Sequence, residues 1–422
     1  MKTRHLLTAA GLAVAGLVFV GQIRQLLADP TIWPPDDFVE YWAAARLTLE
    51  GQNPYDESLL LPLQRAAGRD TDEAVMMWNP PWSLAVVLPL GLLDPRPAQL
   101  LWLAVNLAAV GFCGDRLWLL MGGKREQRWI GWVVALAFLP TLFALQSGQI
   151  PPLVLLGAVL FLECRRRGWP FLAGAATLLL AIKPHLAYLV WLAILCEALT
   201  RRQFAVIAGG LTAGLVAVLI PLAFDPQLLH QYADAMGNRP PSQWKSPTIG
   251  TLLREVFGAE LFRLQFVPVV FGLGWFAWHW RRHGQSWDWG EQLPLLLLVS
   301  FVTAPYGAWP FDMVLLLPAV TRLIAKMLPP FTPTPLPGGE RGVENPLPAG
   351  ERVVCEANWV RGRLVLAGLL AVNLGCLYMN LRQTGSYAFI WVSPAILVLY
   401  AIGTRSPRPR AEVPEPPVPV AA

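Results

Sequence analysis

Charge is what this sequence has least of. Asp, Glu, Lys and Arg together make up 14% of the 422 residues, too few to cover the surface of a soluble protein of this length. A soluble globular protein is excluded. Cysteine is also scarce: of the five, Cys113, Cys164, Cys196 and Cys376 fall in apolar runs and Cys355 in a loop assigned to the cytoplasm, and no CxxC pair occurs. That leaves no disulfide framework and no paired-cysteine metal site. No H-E-x-x-H, G-x-S-x-G or Walker pattern stands in a context that would support it, and no βα alternation marks a nucleotide-binding domain. What the chain has in quantity is apolar surface: 55% hydrophobic residues and 19 Trp, with a mean hydropathy of +0.45. The expected fold class is an all-α polytopic membrane protein whose first partner is the lipid bilayer. The net charge of +5 does not point to nucleic acid, because Lys and Arg come in short clusters between apolar runs, the pattern that sets orientation in a membrane.

Residues 1–27 begin with MKTRH and continue as an apolar run with no A-x-A cleavage site after it, which predicts an uncleaved first helix with its N-terminus inside. Further apolar segments lie at 98–121, 129–145, 151–163, 169–182, 185–199, 203–222, 264–280, 291–305, 311–326, 362–380 and 386–402. Together they predict about twelve crossings, several of them shorter than the roughly 20 residues of a perpendicular span. Counting 82–93 as a span would put Gly122 to Arg125 outside, so that piece reads as re-entrant or interfacial. The basic clusters and both termini then fall on the cytoplasmic face of a plasma (inner) membrane. The stretches left for the opposite face are 28–81, QSGQ at 146–149, KPH at 183–185, 223–263 and PYGAWPFD at 305–312. Four units follow: a catalytic membrane core at 1–328, a Pro/Gly-rich insert at 329–361 in which PLPGGERGV and PLPAGERVV repeat, two final helices at 362–403 and a Pro/Arg-rich tail at 404–422.

The densest acidic and aromatic stretch is DDFVEYWAAARLTLEGQNPYD at 36–56. Its spacing predicts an amphipathic helix that begins after Pro34 and Pro35 and lies along the membrane surface of a large first outer loop. Phe38, Tyr41, Trp42, Ala45 and Leu49 share one face, and Asp37 and Glu40 are adjacent on the other. The acids Asp36, Asp37 and Glu40 are either ordinary surface acids or carboxylates able to take a proton from an attacking hydroxyl.

Each remaining polar motif on that face has two readings. Trp78 and Trp82 in WNPPW offer stacking surfaces for a sugar, or belong to an interfacial aromatic belt. Gln149 in QSGQ can hydrogen-bond hydroxyls, or is part of a polar turn. Lys183 and His185 stand between apolar runs with no other charge near, where a cation can hold a lipid phosphate or snorkel to the interface. Asp312 is a site carboxylate or an N-cap, and Lys245 is a candidate phosphate contact. Asp70 and Asp72 spell D-x-D, a metal-holding pattern in nucleotide-sugar enzymes, but RDTDE reads as a solvated loop. Neither a metal nor a cofactor is expected.

Taken in order, DFVEYWAAARLTLEGQNPYD, NPPWSLAVVLPLGLL, QSGQIPPLVLLGAVL, AIKPHLAYLVWL, SPTIGTLLREVF and APYGAWPFDMVLLLP resemble glycosyltransferase family 87, the polyprenyl-phosphate-mannose-dependent α-mannosyltransferases of GT-C type. The resemblance covers about residues 1–326. It implies a sugar donated from a polyprenyl phosphate to a glycolipid or glycan acceptor on the extracytoplasmic side, with Asp37 as the catalytic carboxylate. The chain departs from the family where it has Trp78-Asn79-Pro80-Pro81, Lys183-Pro184-His185 and Asp312. Within this resemblance Asp36, Glu40, Tyr41 and Gln149 orient the acceptor, Lys183, His185 and Lys245 hold the donor phosphate, and Trp78 and Trp82 stack the sugar. Two other readings stand beside it: a secondary transporter, which would show half-to-half repeats and charges near the midplane, and a polyprenyl-phosphate-pentose transferase.

Overall fold

The computed structural model of the chain describes Gly21 and residues 33–240, 244–327 and 349–405, the last stretch with side chains from 360 onward. The first apolar segment, most of the Pro/Gly-rich insert and nearly all of the tail lie outside the described residues. Among the described residues the longer elements are all helices: α1 (Phe38–Leu49), α2 (Glu57–Ala66), α3 (Pro95–Leu120), α4 (Arg128–Ala137), α5 (Leu139–Gln146), α6 (Pro151–Arg166), α7 (Pro170–Leu180) and α8 (Tyr188–Arg201). They continue as α9 (Phe204–Leu222), α10 (Leu228–Asn238), α11 (Ile249–Phe257), α12 (Val267–His283), α13 (Trp289–Val302), α14 (Leu317–Met327), α15 (Ala349–Leu381) and α16 (Val392–Thr404). Local chemistry sets several boundaries. Proline occupies the first turn of α3, α6 and α7, where its missing N–H costs nothing. Asp56, Thr248 and Asp288 cap α2, α11 and α13 by accepting backbone N–H groups.

Among the described residues, four stretches are long and apolar enough to cross a membrane: Pro95–Leu120, Phe204–Leu222, Val360–Leu381 and Ser386–Thr404. A fifth is available if α4 and α5, bent by 61° at Phe138, count as one span. Shorter apolar helices such as Pro170–Leu180 and Trp289–Val302 are packed among them. At 1.5 Å per residue, eleven residues cover about 17 Å of a hydrocarbon core roughly 30 Å thick. With these apolar helices and no strand among the described residues, the chain is a helical membrane protein. Glycine lets two of these elements meet backbone to backbone: a Cβ on Gly174 of α7 would overlap the Val206 carbonyl of α9, and one on Gly209 of α9 would overlap the Phe171 carbonyl.

The expectation of a surface-lying first helix needs correction. In α1 every residue from Phe38 to Ala45, together with Leu47 and Thr48, is buried. Its small residues explain this, because the run Ala43 to Ala45 leaves room for the short helical stretch Pro81–Leu92 to press against it. A Cβ on Gly91 would sit 2.7 Å from the Ala45 carbonyl carbon, and Trp42 Nε1 donates to the Leu93 carbonyl at 3.0 Å. Helix α1 is therefore enclosed by protein, with Glu40 buried at its N-terminal end, Asp37 half-buried just before it and Asp36 exposed.

Candidate active site

The α1 end meets the turn between α5 and α6. Gly148 takes φ +67° there, and a Cβ would stand 2.7 Å from Phe38 Cβ, so only glycine lets the turn lie against the start of α1. Trp102 Nε1 ties the turn down through the Gly148 carbonyl at 2.6 Å. This brings Gln149 between Tyr41 of α1 and Asp37 just before it: Tyr41 Oη donates to Gln149 Oε1 at 2.9 Å, and Gln149 Nε2 donates to Asp37 Oδ2 at 3.0 Å. Asp37 precedes the helix without a side-chain cap bond, so its carboxylate is free for other work. Its Oδ1 lies 4.0 Å from Arg69 Nη1, which also donates to the Asp36 carbonyl at 3.1 Å. Asp36 itself is exposed, with φ 45°.

Opposite stands the turn 181–187. Asn79 Nδ2 donates to the Ile182 carbonyl at 3.3 Å and Trp82 Nε1 to the Ala181 carbonyl at 2.9 Å, so WNPPW stitches itself to AIKPH. Lys183 is buried and pairs with the fully buried Asp312, Nζ to Oδ1 2.7 Å. The second carboxylate oxygen of Asp312 accepts the Trp309 N–H at 3.0 Å, so this acid closes its own turn and also balances the lysine. The Lys183 ammonium lies 5.0 Å from the centre of the Phe311 ring. His185 Nε2 lies 3.3 Å from the Gly307 carbonyl oxygen. A carbonyl only accepts, so this contact keeps a proton on Nε2.

Between the two halves is a cavity of about 370 Å³ lined by Glu40, Gln149, Lys183 and His185 and by the aromatic side chains of Trp78, Tyr232, Trp244, Tyr306, Trp309 and Phe311. Part of the aromatic wall is a continuous run. Ring centres run from Trp78 to Trp244 at 5.8 Å, on to Tyr306 at 6.0 Å, and from Tyr306 to His185 at 5.1 Å. A wall of this kind, with a few convergent polar groups, suits the apolar faces and hydroxyls of a sugar. Asp37 is not part of the lining but is one hydrogen bond behind it, through Gln149.

Other candidates stand elsewhere. Trp82 borders an apolar groove between α7, α8 and α9 rather than this cavity. Lys245 is exposed and outside the lining. Asp70 and Asp72 are exposed, and Asp72 pairs with Arg65 at 3.0 Å. The sequence reading missed Tyr232, Trp244, Tyr306 and Arg69. Tyr306 sits inside PYGAWPFD, a motif that it did single out, and Trp244 directly precedes the candidate Lys245. Arg69 sits in the loop read as solvated, and Tyr232 had no local signal.

Electrostatics raises both acids that flank Asp37. Burial, then the neighbouring Asp37 carboxylate, pushes Glu40 up to about 8, against the weaker pull of Lys183 and Arg69, so it holds its proton at neutral pH. Asp36, although exposed as a residue, is also raised, mainly by the partial desolvation of its carboxyl and secondly by Asp37. Burial pushes His185 down to about 4, which leaves it neutral. The site therefore offers a protonated Glu40, a neutral imidazole and one lysine already balanced by an aspartate.

No curated protein and no solved structure matches the chain. Residues 78–305, more than half of it, match the family described as Glycosyltransferase family 87. The match takes in WNPPW, Gln149, Lys183 and His185, while Asp37, Glu40 and Asp312 lie outside it. With an all-helical membrane fold and a polar, aromatic-walled cavity built largely from the matched residues, the chain belongs to glycosyltransferase family 87.

Proposed function

We propose that this glycosyltransferase moves a hexose, mannose by the family resemblance, from a polyprenyl-phosphate donor to a hydroxyl of a glycolipid or glycan acceptor. The reaction takes place on the extracytoplasmic side of the plasma membrane. The acceptor hydroxyl displaces the Gln149 N–H from Asp37 Oδ2, and Asp37 takes its proton as the acceptor oxygen bonds to the sugar C1. The C1–O bond to phosphate breaks on the opposite face, its electron pair leaves with the lipid phosphate, and the anomeric centre inverts. Lys183 receives that phosphate with the two N–H groups not given to Asp312. His185 positions the site by its hold on Gly307, and Tyr41 and Gln149 hold the base. Glu40, protonated, donates to the acceptor or sugar, and Trp78 stacks on the ring. The same reading takes shorter helices such as α6, α7 and α8 as tilted or shielded crossings in a GT-C-type bundle of about twelve, with both termini cytoplasmic.

The observation that carries this reading is one cavity with Glu40 and Gln149 on one side, backed by Asp37, and with Lys183 and His185 on the other. The test incubates membranes with radiolabelled polyprenyl-phosphate sugars and identifies the labelled product. Asp37→Asn removes no cap bond, so it should insert and fold normally while losing about 10²- to 10⁴-fold in transfer rate, the range of a general base. A folded Asp37→Asn protein that transfers at the wild-type rate defeats the assignment.

A further inference from the structure

A second polar cavity, of about 590 Å³, lies among α3, α4 and α6, lined by Arg116, Arg125, Arg128, Arg166 and Arg167 with a single carboxylate, Glu163. These arginines come from two distant stretches, 116–128 and 166–167. In sequence they read only as orientation signals, which need no convergence; the fold nevertheless gathers them around one space.

The gathering is rigidly built. Gly114 of α3 and Gly131 of α4 touch backbone to backbone, a Cβ on Gly114 lying 2.6 Å from the Gly131 carbonyl oxygen. The loop between the helices is pinned where Trp118 Nε1 donates to the Lys124 carbonyl at 2.9 Å. The buried acids already have partners: Asp115 binds Arg128 through both oxygens at 2.7 and 2.6 Å, and Glu163 holds Arg167 at 2.7 Å with Arg116 at 4.0 Å. Arg125 and Arg166 have no ion-pair partner among the described residues. Asp115 lies also 3.7 Å from Arg116, so two carboxylates answer Arg116, Arg128 and Arg167, and the five guanidinium groups leave a net positive charge, centred on Arg125 and Arg166, that an entering anion would balance.

The position of the cavity selects the anion. It opens at the end of the membrane-capable helix Pro95–Leu120, beside Trp129 and Trp132 of α4 and Trp169, all exposed. Exposed tryptophans mark the headgroup level of a bilayer. We propose that this cavity binds the phosphodiester headgroup of an anionic phospholipid of the cytoplasmic leaflet, with Arg125 and Arg166 as the principal contacts and Arg116 and Arg128 as the fixed wall. Basic pockets between membrane helices are suited to such headgroups, and a guanidinium pair grips phosphate oxygens bidentately.

The test uses the full chain, purified and reconstituted in phosphatidylcholine nanodiscs, with phosphatidylglycerol as probe and native mass spectrometry as readout. Wild type should retain phosphatidylglycerol in preference to phosphatidylcholine, and Arg125→Gln/Arg166→Gln should weaken that retention about 30-fold, the factor for removing two basic residues at a membrane surface. Arg281→Gln/Arg282→Gln, a charge loss elsewhere in the chain, should leave it unchanged. Equal retention of the two lipids by wild type overturns the proposal whatever the variants do. So does undiminished retention in the Arg125/Arg166 variant, or displacement of phosphatidylglycerol by equimolar inorganic phosphate, which would make the site a free-anion pocket.

Discussion

Replacing Asp312 with Asn tests the charge balance at the centre of the site. Asn can still accept the Trp309 N–H, so the turn at 309–312 keeps its closing bond. What disappears is the charge opposite Lys183, 2.7 Å away, inside protein where Asp312 is fully buried and Lys183 nearly so. At an effective dielectric of about 20 the lost attraction is on the order of 6 kcal/mol. Truncating one partner of a buried pair typically costs about 3–5 kcal/mol, because the other charge is left uncompensated. The Phe311 ring, 5.0 Å from the ammonium, returns only about 1–2 kcal/mol. Asp312→Asn should therefore lower the thermal inactivation midpoint of the purified protein and cut sugar transfer together. The double variant Lys183→Met/Asp312→Leu, with both charges gone, should recover most of the stability and none of the transfer. The reasoning fails if Asp312→Asn is as stable as wild type, or if the double variant is the least stable of the three.

Two further perturbations address the other half of the cavity. Glu40 is raised from 4.5 to about 8, so between those values the folded state binds more protons than the unfolded one and stability falls as pH rises. Glu40→Gln should flatten that slope in denaturation midpoints measured from pH 5 to about 8, and should remove any limb near pH 8 from the rate profile; an unchanged slope refutes the assignment. Gly148→Ala places a methyl 2.7 Å from Phe38 Cβ at φ +67°, which should cost about 1–3 kcal/mol and reduce transfer by moving Gln149 away from Asp37. Wild-type activity in that variant would show that the Gln149 bridge is dispensable.

Much of the site was legible because its polar residues are rare in an apolar chain. Gln149, Lys183, His185 and Asp312 stand out wherever hydropathy is read, and the positive clusters assign them a common face. Their mutual partners were not legible. Nothing near Asp312 announces that its carboxylate answers a lysine 129 residues earlier, and a QSGQ turn gives no sign that its second glutamine bridges Tyr41 and Asp37. Pairings of that kind are decided by helix packing, which one-dimensional periodicity does not contain. The first helix was misread for a related reason: three successive alanines look neutral in a hydrophobic-face argument, but their small size is what lets Gly91 close over them. Helix length also eluded the reading, since hydropathy joins runs that the backbone breaks, as at Phe138.

The half-open position of Asp37, its side chain 28% exposed beside Arg69, bears on what happens after the bond is made. On the proposed mechanism each turnover leaves Asp37 holding a proton, and the next cannot begin until that proton has gone to water. Asp37 has an exit on its Arg69 side. A proton taken by Glu40, only 8% exposed, would have to leave through the occupied cavity, competing with product for the same door. On this arrangement the enzyme resets by one route while sugar comes and goes by another.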